Sequence, residues 1–580
     1  MNILIIGGGI SGISAAKVLL KTHHKVTIVE KSEAPGGLME KIANCRIGFK
    51  TFYDEIRDDP NLTVIKGTCV IDAERVNGSF KIHLEGQGHI DADRIIISSG
   101  LVPYDPKHLK GKRIITSLEY DAMIDQKNVE LPEINKIAFV LCVGSRGNEY
   151  PLCSSVCCSY SLREIKWTLQ RIKPEITVFY NDLRFFGQEF YMEKVFRDAG
   201  VNFIRANSRY FDEDENGVTI RYYNDNRIIE DRFDYVVLSI GLHPNPELKS
   251  LSEVFGFTLN EYGFIKEVEP LKTDIEGIYV SGGALEPMNI KDAILTGFGA
   301  SSKCLSDLNG GFDDTIENKI SYEDTPDIDN IPVDLNSYLF YLGIDDPSFK
   351  MFYEFLSESF INIAQKLCEL GKNVCIVTQN LVMPSYGELL YENARRKGVI
   401  FVHLEEGQSL KVENSTAYIH GQKDVLSFSF DKMVSFNDYI ELFKNKEFLF
   451  QYRTEPQIRW NPTKWDRKHF FYGFCRYPRS ERWKMREYFG AVGEVILDME
   501  EERVYPTLSE ERCSGCGSCK DACPQSAIEM IVHEKPLSVF GPNFETREPI
   551  AHIKEDVCVG CGLCASVCPS DVITYEVPFK

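Results

Sequence analysis

Eight cysteines near the C-terminus constrain this chain more than any other feature. Cys513, Cys516, Cys519 and Cys523 are spaced C-x2-C-x2-C-x3-C, with Pro524 directly after them. Cys558, Cys561, Cys564 and Cys568 repeat that spacing, again followed by a proline, Pro569. Soft thiolates suit iron, and loops this short can wrap a four-iron four-sulfur cube. Where the run is doubled, the fourth Cys of each run ligates the other cluster. One [4Fe-4S] cluster is therefore expected on Cys513, Cys516, Cys519 and Cys568, and a second on Cys558, Cys561, Cys564 and Cys523. Gly515, Gly517, Gly560 and Gly562 allow the backbone to turn close to the sulfurs. Two zinc sites or a set of disulfides are the competing reading. A module of this kind passes single electrons, so the rest of the chain should explain where they come from.

The bulk properties narrow the class. A length of 580 residues leaves room for roughly three to four domains. The formal charge of −21 argues against nucleic-acid binding, which needs basic patches to neutralise phosphates. No apolar run reaches the ~18 residues of a membrane span. The start, MNILIIGGGISG, lacks a basic leader and becomes a glycine-rich turn at once, so a signal peptide is not expected. Eighteen cysteines, most in metal-type spacings, fit a reducing compartment, and the expected location is cytoplasmic.

At the N-terminus the apolar run Ile3–Ile6 leads into Gly7-Gly8-Gly9-Ile10-Ser11-Gly12, a G-x-G-x-x-G, and then into the helical run ISAAKVLLK. A second strand, KVTIVE, ends at Glu30, eighteen residues beyond Gly12, with Lys31 beside it. This is the dinucleotide fingerprint in its required context. Gly7 makes the turn, Gly9 admits the diphosphate, Gly12 packs helix on strand and Glu30 reaches a ribose hydroxyl. The helix N-terminus stabilises the phosphates. Gly36-Gly37, in APGGL, resembles the second phosphate-side turn of glutathione-reductase-like flavoproteins. IIISSG, ending at Gly100, and GIYVSGGALEP, with Gly282-Gly283-Ala284, resemble two further flavin-side elements of that fold. The resemblance implies bound FAD.

That fold carries an inserted second nucleotide domain, expected here from about Lys136. After the strand IAFVL (137–141) no glycine fingerprint appears. The chain reads CVGSR and then LCSSVCCSYSLREI, placing Cys142, Cys153, Cys157 and Cys158 between a strand end and a helix start. Four packed or stray thiols are the bland alternative, disfavoured by so many in so short a stretch. No C-x-x-C stands outside the two C-terminal runs, so a thioredoxin-reductase-like dithiol is missing as well. CVGSR followed by C-x3-C-C-x-Y, together with LNEYGFIKEVEPLKTDIEGIYVSGGALEP (259–287), resembles the A subunit of heterodisulfide reductase. It also resembles the related flavoproteins of quinone-interacting membrane-bound oxidoreductase complexes. The resemblance covers about residues 1–310 and, more generically, the C-terminal part, whose doubled run is the bacterial ferredoxin pattern. It implies that Cys142, Cys153, Cys157 and Cys158 bind a third [4Fe-4S] cluster beside the flavin. Two departures bear on electron bifurcation. Arg163 stands where bifurcating relatives carry a Lys, and Arg effectively never deprotonates. Pro287-Met288-Asn289-Ile290 replaces the relatives' Pro-Lys-Asp-Ile.

The region 330–500 reads as a worn repeat. IYVSGGALEPMNIKDAILTGFGASSKCL (278–305) aligns without gaps to the segment starting at His469, at an offset of 191. Phe298-Gly299-Ala300 falls on Phe489-Gly490-Ala491, and ITVFYNDLRFFGQEFYMEKVFRDAGVNFI (176–204) matches 373–401 in pattern. Such internal similarity points to duplicated architecture. The copy lacks a glycine fingerprint and the cysteine set. Cys368, Cys375 and Cys475 are scattered, and packed thiols are expected there. The aromatic and cationic stretch RWNPTKWDRKHFFYGFCRYPRSERW is read as a core or interface rather than a nucleic-acid platform.

The resulting expectation is an α/β chain with a glutathione/thioredoxin-reductase-like flavoprotein half. Its FAD-binding domain spans 1–135 and 240–312, with an inserted nucleotide-type domain at 136–239. A linker (313–335), a degenerate reductase-like repeat (336–502) and an α+β two-cluster ferredoxin domain (503–580) follow. The function implied is an oxidoreductase, an electron-transfer subunit with FAD and three [4Fe-4S] clusters. It would work with other subunits of a heterodisulfide-reductase-like complex, with any membrane association through a partner. A self-contained NAD(P)H-dependent flavin reductase feeding the clusters, and a passive electron-transfer scaffold, are the alternatives.

Overall fold

The computed structural model describes residues 1–125, 133–185, 189–206, 209–224, 227–312, 320–323, 331–344, 352–404, 408–420, 425–439, 470–473, 483–498 and 506–509, and in the C-terminal segment 513, 515–523, 526–536, 545–554, 558, 563–568 and 573–574. Most of the expected linker and of the aromatic and cationic stretch lies outside these residues, as do Cys475, Cys561, Pro524 and Pro569.

The first sheet is parallel, in the order Ile278–Val280, Arg94–Ile97, Asn2–Ile6, Lys25–Glu30, Leu62–Lys66. Its central strands are runs of isoleucine and leucine buried on both faces, as a parallel sheet covered by helices requires. The helices Ile10–Lys21 and Ile290–Asn309 pack against one another. Ser301 Oγ donates to the Ala15 carbonyl at 2.9 Å. An antiparallel meander, Val70–Val76, Ser79–Leu84 and Gly88–Ala92, completes the unit.

The second sheet repeats this plan. Its parallel strands run in the order Asn202–Arg205, Glu175–Tyr180, Lys136–Val143, Tyr235–Ile240, Ile114–Thr116, with the meander Arg209–Asp214, Gly217–Asn224, Arg227–Phe233. The third follows the same order with different residues. Ile400–His403, Asn373–Thr378, Ser337–Leu342 and Lys432–Ser435 are parallel, and Leu410–Glu413, Thr416–His420 and Val425–Ser429 form the meander. These two units share one apolar core, in which Phe139, Val178, Leu183 and Phe185 meet Phe340, Leu381, Val382 and Met383.

The helix Lys484–Asp498 lies on Ile290–Asn309. The contact is reciprocal. A Cβ on Gly490 would overlap the Leu295 side chain and stand 3.0 Å from the Leu295 carbonyl, while a Cβ on Gly299 would meet the Arg486 carbonyl at 3.3 Å. Under the 191-residue offset Leu295 corresponds to Arg486 and Gly299 to Gly490. Residue i thus touches the equivalent of j while j touches the equivalent of i, the signature of a two-fold contact, here within one chain. Gly490→Val forces the helices apart, and overpacking of this kind costs about 1–3 kcal/mol. Denaturant unfolding of the variant is expected to show that loss, whereas Gly310→Ala, where a Cβ meets nothing within 4 Å, pays only for its left-handed φ of 75°.

At the C-terminus Thr507–Leu508 pairs antiparallel with Ile573–Thr574, and Ile528–Pro536 pairs with Glu545–Ile553. Two short helices, Ser518–Ala522 and Leu563–Ser566, face each other. Cysteines make up much of this small core. No helix among the described residues is long and apolar enough to cross a membrane.

Candidate functional site

The glycine turn sits at the carboxyl end of the first strand. A Cβ on Gly12 would overlap the Gly7 carbonyl oxygen, so only hydrogen fits where helix meets strand. Among the described residues a Cβ on Gly9 would meet nothing within 4 Å, which leaves an open approach to the backbone at the helix N-terminus. The second glycine turn folds onto the first. Gly36 N donates to the Gly8 carbonyl at 2.9 Å, and a Cβ on Gly37 would lie 3.6 Å from Gly9 Cα. Glu30 is buried at the end of its strand. Its Oε2 accepts from Gly8 N and its Oε1 from Ser32 N, each at 2.8 Å. Gly282-Gly283-Ala284 forms a single buried turn opposite, and Ser281 Oγ stands 2.8 Å from both Ser11 Oγ and Ser98 Oγ. Gly100 is exposed beside this turn. Lys31 points outward to Glu247 at 3.2 Å. An open backbone approach, a helix N-terminus and a buried acid fit the diphosphate and ribose of FAD.

The four upstream cysteines come from three local settings. Cys142 lies near the end of the strand Lys136–Val143, Cys153 in the loop, and Cys157 and Cys158 on the first turn of the helix Cys157–Arg171. The loop is strained, with Cys142, Arg146 and Ser155 all at φ near +60°. Such residues cost about 1–3 kcal/mol each and cluster at functional sites. The thiols gather in one place, Cys153, Cys157 and Cys158 buried and Cys142 half-buried. Burial, with repulsion from Cys142 and Cys153, pushes the Cys157 thiol up; burial and repulsion from Cys142, Cys157 and Cys153 do the same to Cys158. Cys158 Sγ accepts from Arg184 N at 3.4 Å and Cys153 Sγ from Ser155 N at 3.5 Å.

Cations surround this cage. The buried guanidinium of Arg146 pairs with Asp182 at 2.6 Å and Glu388 at 3.1 Å. That of Arg184 meets Glu388 and the Met383 carbonyl. Even so, among the described residues Arg146 Nη1 and Arg184 Nε and Nη2 have no hydrogen-bond partner, nor do the hydroxyls of Ser155 and Ser385. Buried N–H donors left bare cost free energy unless another group meets them. Four thiolates around an iron–sulfur cube carry the negative charge and the acceptor sulfurs that would do so. Among the described residues no three His, Cys, Asp or Glu side chains are set to hold a single metal ion; a four-iron cube holds its thiolates farther apart than one tetrahedral ion does.

Arg163, one turn past Cys158, donates to Asp121 at 2.8 Å and to Cys45 Sγ at 3.7 Å, and stacks on Tyr160 and Trp167. Burial opposes its charge, but Asp121 holds its pKa above the ordinary value. Met288 is buried against Thr296.

In the C-terminal module Cys513, Cys516 and Cys519 stand on one loop and helix. Burial, then repulsion from Cys558, Cys523 and Cys519, pushes Cys564 up to about 12. Cys523 of the first run is thus within electrostatic reach of a thiol of the second run. Cys568 joins the same small core.

Residues 1–297 match the pyridine nucleotide-disulphide oxidoreductase family and residues 512–572 the 4Fe-4S dicluster domain. The chain is similar to the A subunit of the H(2):CoB-CoM heterodisulfide,ferredoxin reductase of Methanothermobacter marburgensis, 28% identical over 37% of this chain and 37% of that protein. It is 26% identical to the iron-sulfur A subunit of the CoB–CoM heterodisulfide reductase of Methanocaldococcus jannaschii over 52% of this chain and 63% of that protein. The match thus spans between a third and two-thirds of the length of these relatives. Among solved structures, thioredoxin reductase of Lactococcus lactis is 18% identical with a TM-score of 0.40, covering 53% of this chain and 98% of that one.

Proposed function

The chain belongs to the pyridine nucleotide-disulphide oxidoreductase family, and from that premise we propose that it is the electron-transfer subunit of a heterodisulfide-reductase-like complex, with one FAD and three [4Fe-4S] clusters. The observation that carries this reading is the set of Cys142, half-buried, with Cys153, Cys157 and Cys158, buried, standing where a nicotinamide fingerprint would follow the second unit's first strand. FAD, when bound, supplies the exchange between paired and single electrons, and iron–sulfur clusters accept electrons singly. The glycine turns and Glu30 would hold the dinucleotide. The upstream four cysteines would hold one cluster. Cys513, Cys516, Cys519 and Cys568 would hold the second, and Cys558, Cys561, Cys564 and Cys523 the third.

The relatives named as subunits support dependence on partner subunits, and we infer that these hold the site for a disulfide, a quinone or a hydride donor. Arg163 keeps its proton and its pair with Asp121. It cannot supply the proton that a buried Lys could, which speaks against splitting of electron pairs at this flavin. The test is anaerobic reduction of the isolated chain. Dithionite is expected to bleach both flavin and cluster absorbance, while NADH or NADPH leaves the flavin oxidised. Rapid bleaching by NADH would replace this reading with a self-contained reductase.

A further inference from the structure

The segment 381–388 of the third unit lies across the cysteine cage. Leu381, Val382, Met383 and Ser385 are buried, and Ser385 forms an antiparallel bridge with Cys153, whose N–H donates to the Ser385 carbonyl at 3.4 Å. Ser385 is itself held at φ 49°. The next residue, Tyr386, reaches the flavin side, where Asn260 Nδ2 donates to its hydroxyl at 2.5 Å and its ring packs on Phe264. Glu388, at the start of the helix Gly387–Arg396, meets both Arg146 and Arg184. Asp182 takes the other side of this pair, with Arg205 at 2.9 Å. His403 stands 3.9 Å from Asp182, and burial pushes its pKa down to about 4, so it is neutral at pH 7. Among the described residues three guanidiniums therefore face two carboxylates, leaving one uncompensated positive charge, with those of Arg146 and Arg184 in electrostatic reach of Cys153 and that of Arg146 also of Cys142.

We propose that the third unit sets the reduction potential of the cluster in this cage: Glu388 holds Arg184 and Arg146 against the cysteines, and the balance of their charges fixes how readily the cluster takes its electron. The proposal rests on the assignment of a cluster to these four cysteines. It gives the unit that lost both fingerprints a task, as a covalently attached cover whose carboxylate enters the site of its sister unit. Reduction adds one electron and neither forms nor breaks a bond. A nearby cation favours the reduced, more negative state and a nearby carboxylate opposes it, and net charge and hydrogen bonds to sulfur are among the terms that set such potentials. Arg cannot relieve its burial by losing a proton, so the cationic side of this field is fixed. Neither Arg146 nor Arg184 is a catalytic residue; both act through the cage.

The experiment is an EPR-monitored redox titration of the full chain with dithionite as reductant, with iron content and circular dichroism measured on each variant. Arg184→Met keeps side-chain length and removes the charge. It is expected to move one cluster to lower potential by at least a tenfold change in its reduction equilibrium, about 59 mV for one electron. Glu388→Gln keeps the shape and removes the opposing charge, and should move the same cluster to higher potential. The two ferredoxin-type clusters should not move in either variant. Opposite signs separate a field effect from simple loosening, which would shift both variants the same way or release iron. Should Arg184→Met fail to fold, Glu388→Gln alone decides the question. About twelve irons per chain with no shift, or with shifts of one sign, overturns this proposal and leaves the third cluster in place. Only about eight irons in the unaltered protein overturns the cluster assignment instead.

Discussion

Replacing Cys157 and Cys158 together by Ser is expected to lower the iron content from about twelve to about eight per chain, with FAD retained. The expectation follows from cluster stoichiometry, four irons to each cube. Both thiols are buried on the first turn of one helix, against the end of the strand that carries Cys142. Serine is close in size, so the fold has little steric reason to change. Its hydroxyl is a hard, protonated ligand and does not replace thiolate on iron. About a third of the cluster absorbance should go with the iron, and the loss should spare the signals of the C-terminal module. The same substitution at Cys304, equally buried but in the helix Ile290–Asn309, removes a thiol that faces no other cysteine of the set and should leave the iron unchanged. Unaltered iron in the double variant would show that the four cysteines are packing residues.

A second consequence concerns stability. Metal binding to a site that exists only in the folded state adds its free energy to folding. Among the described residues the cage holds guanidinium donors without a hydrogen-bond partner, and left-handed residues, costs that a bound cluster would offset. The double variant should therefore unfold at lower denaturant than the Cys304→Ser control, with the loss located in the shared core of the second and third units.

The parts legible in the sequence are those whose chemistry is local. The glycine turn, the strand before it and Glu30 lie within thirty residues, and the structure brings them together at one strand end. The two C-terminal runs carry in their spacing the pattern of the 4Fe-4S dicluster domain that matches there, and the upstream cysteines fall within seventeen residues. The repeat is also visible, because its helix retains Phe-Gly-Ala. What spacing does not disclose is that the two equivalent helices touch each other at those glycines. A pattern shared by two segments does not state that they meet. The cations at the cage are hidden for the same reason. Arg184 finds Met383 across 199 residues, and Arg146 finds Glu388 across 242. No periodicity links such partners. The one available hint is compositional: an Asp-x-Arg in the loop after the second unit's strand, while the Glu that meets it opens the next helix of the copy.

The flavin site offers the other large effect, and two neighbouring glycines separate folding from binding there. Gly12→Val should fail at the level of structure, since its Cβ would overlap the Gly7 carbonyl oxygen and the turn cannot close. Gly9→Asp is different. A Cβ there meets no protein atom within 4 Å, and Gly9 has a φ of −76° in extended backbone that any residue adopts. As the N-cap of the helix Ile10–Lys21, Asp is even a favourable residue for folding. It would, however, place a carboxylate where the diphosphate must approach. Like charges brought together in a binding site cost several kcal/mol, which corresponds to an affinity loss on the order of a hundredfold or more. The variant should purify folded, with its irons and without its yellow flavin, and added FAD should restore it only at far higher concentration than the unaltered chain needs. The ferredoxin-type clusters should still reduce with dithionite, because among the described residues none of the C-terminal module takes part in the glycine turn. Full FAD occupancy in Gly9→Asp would place the dinucleotide elsewhere than on this glycine turn.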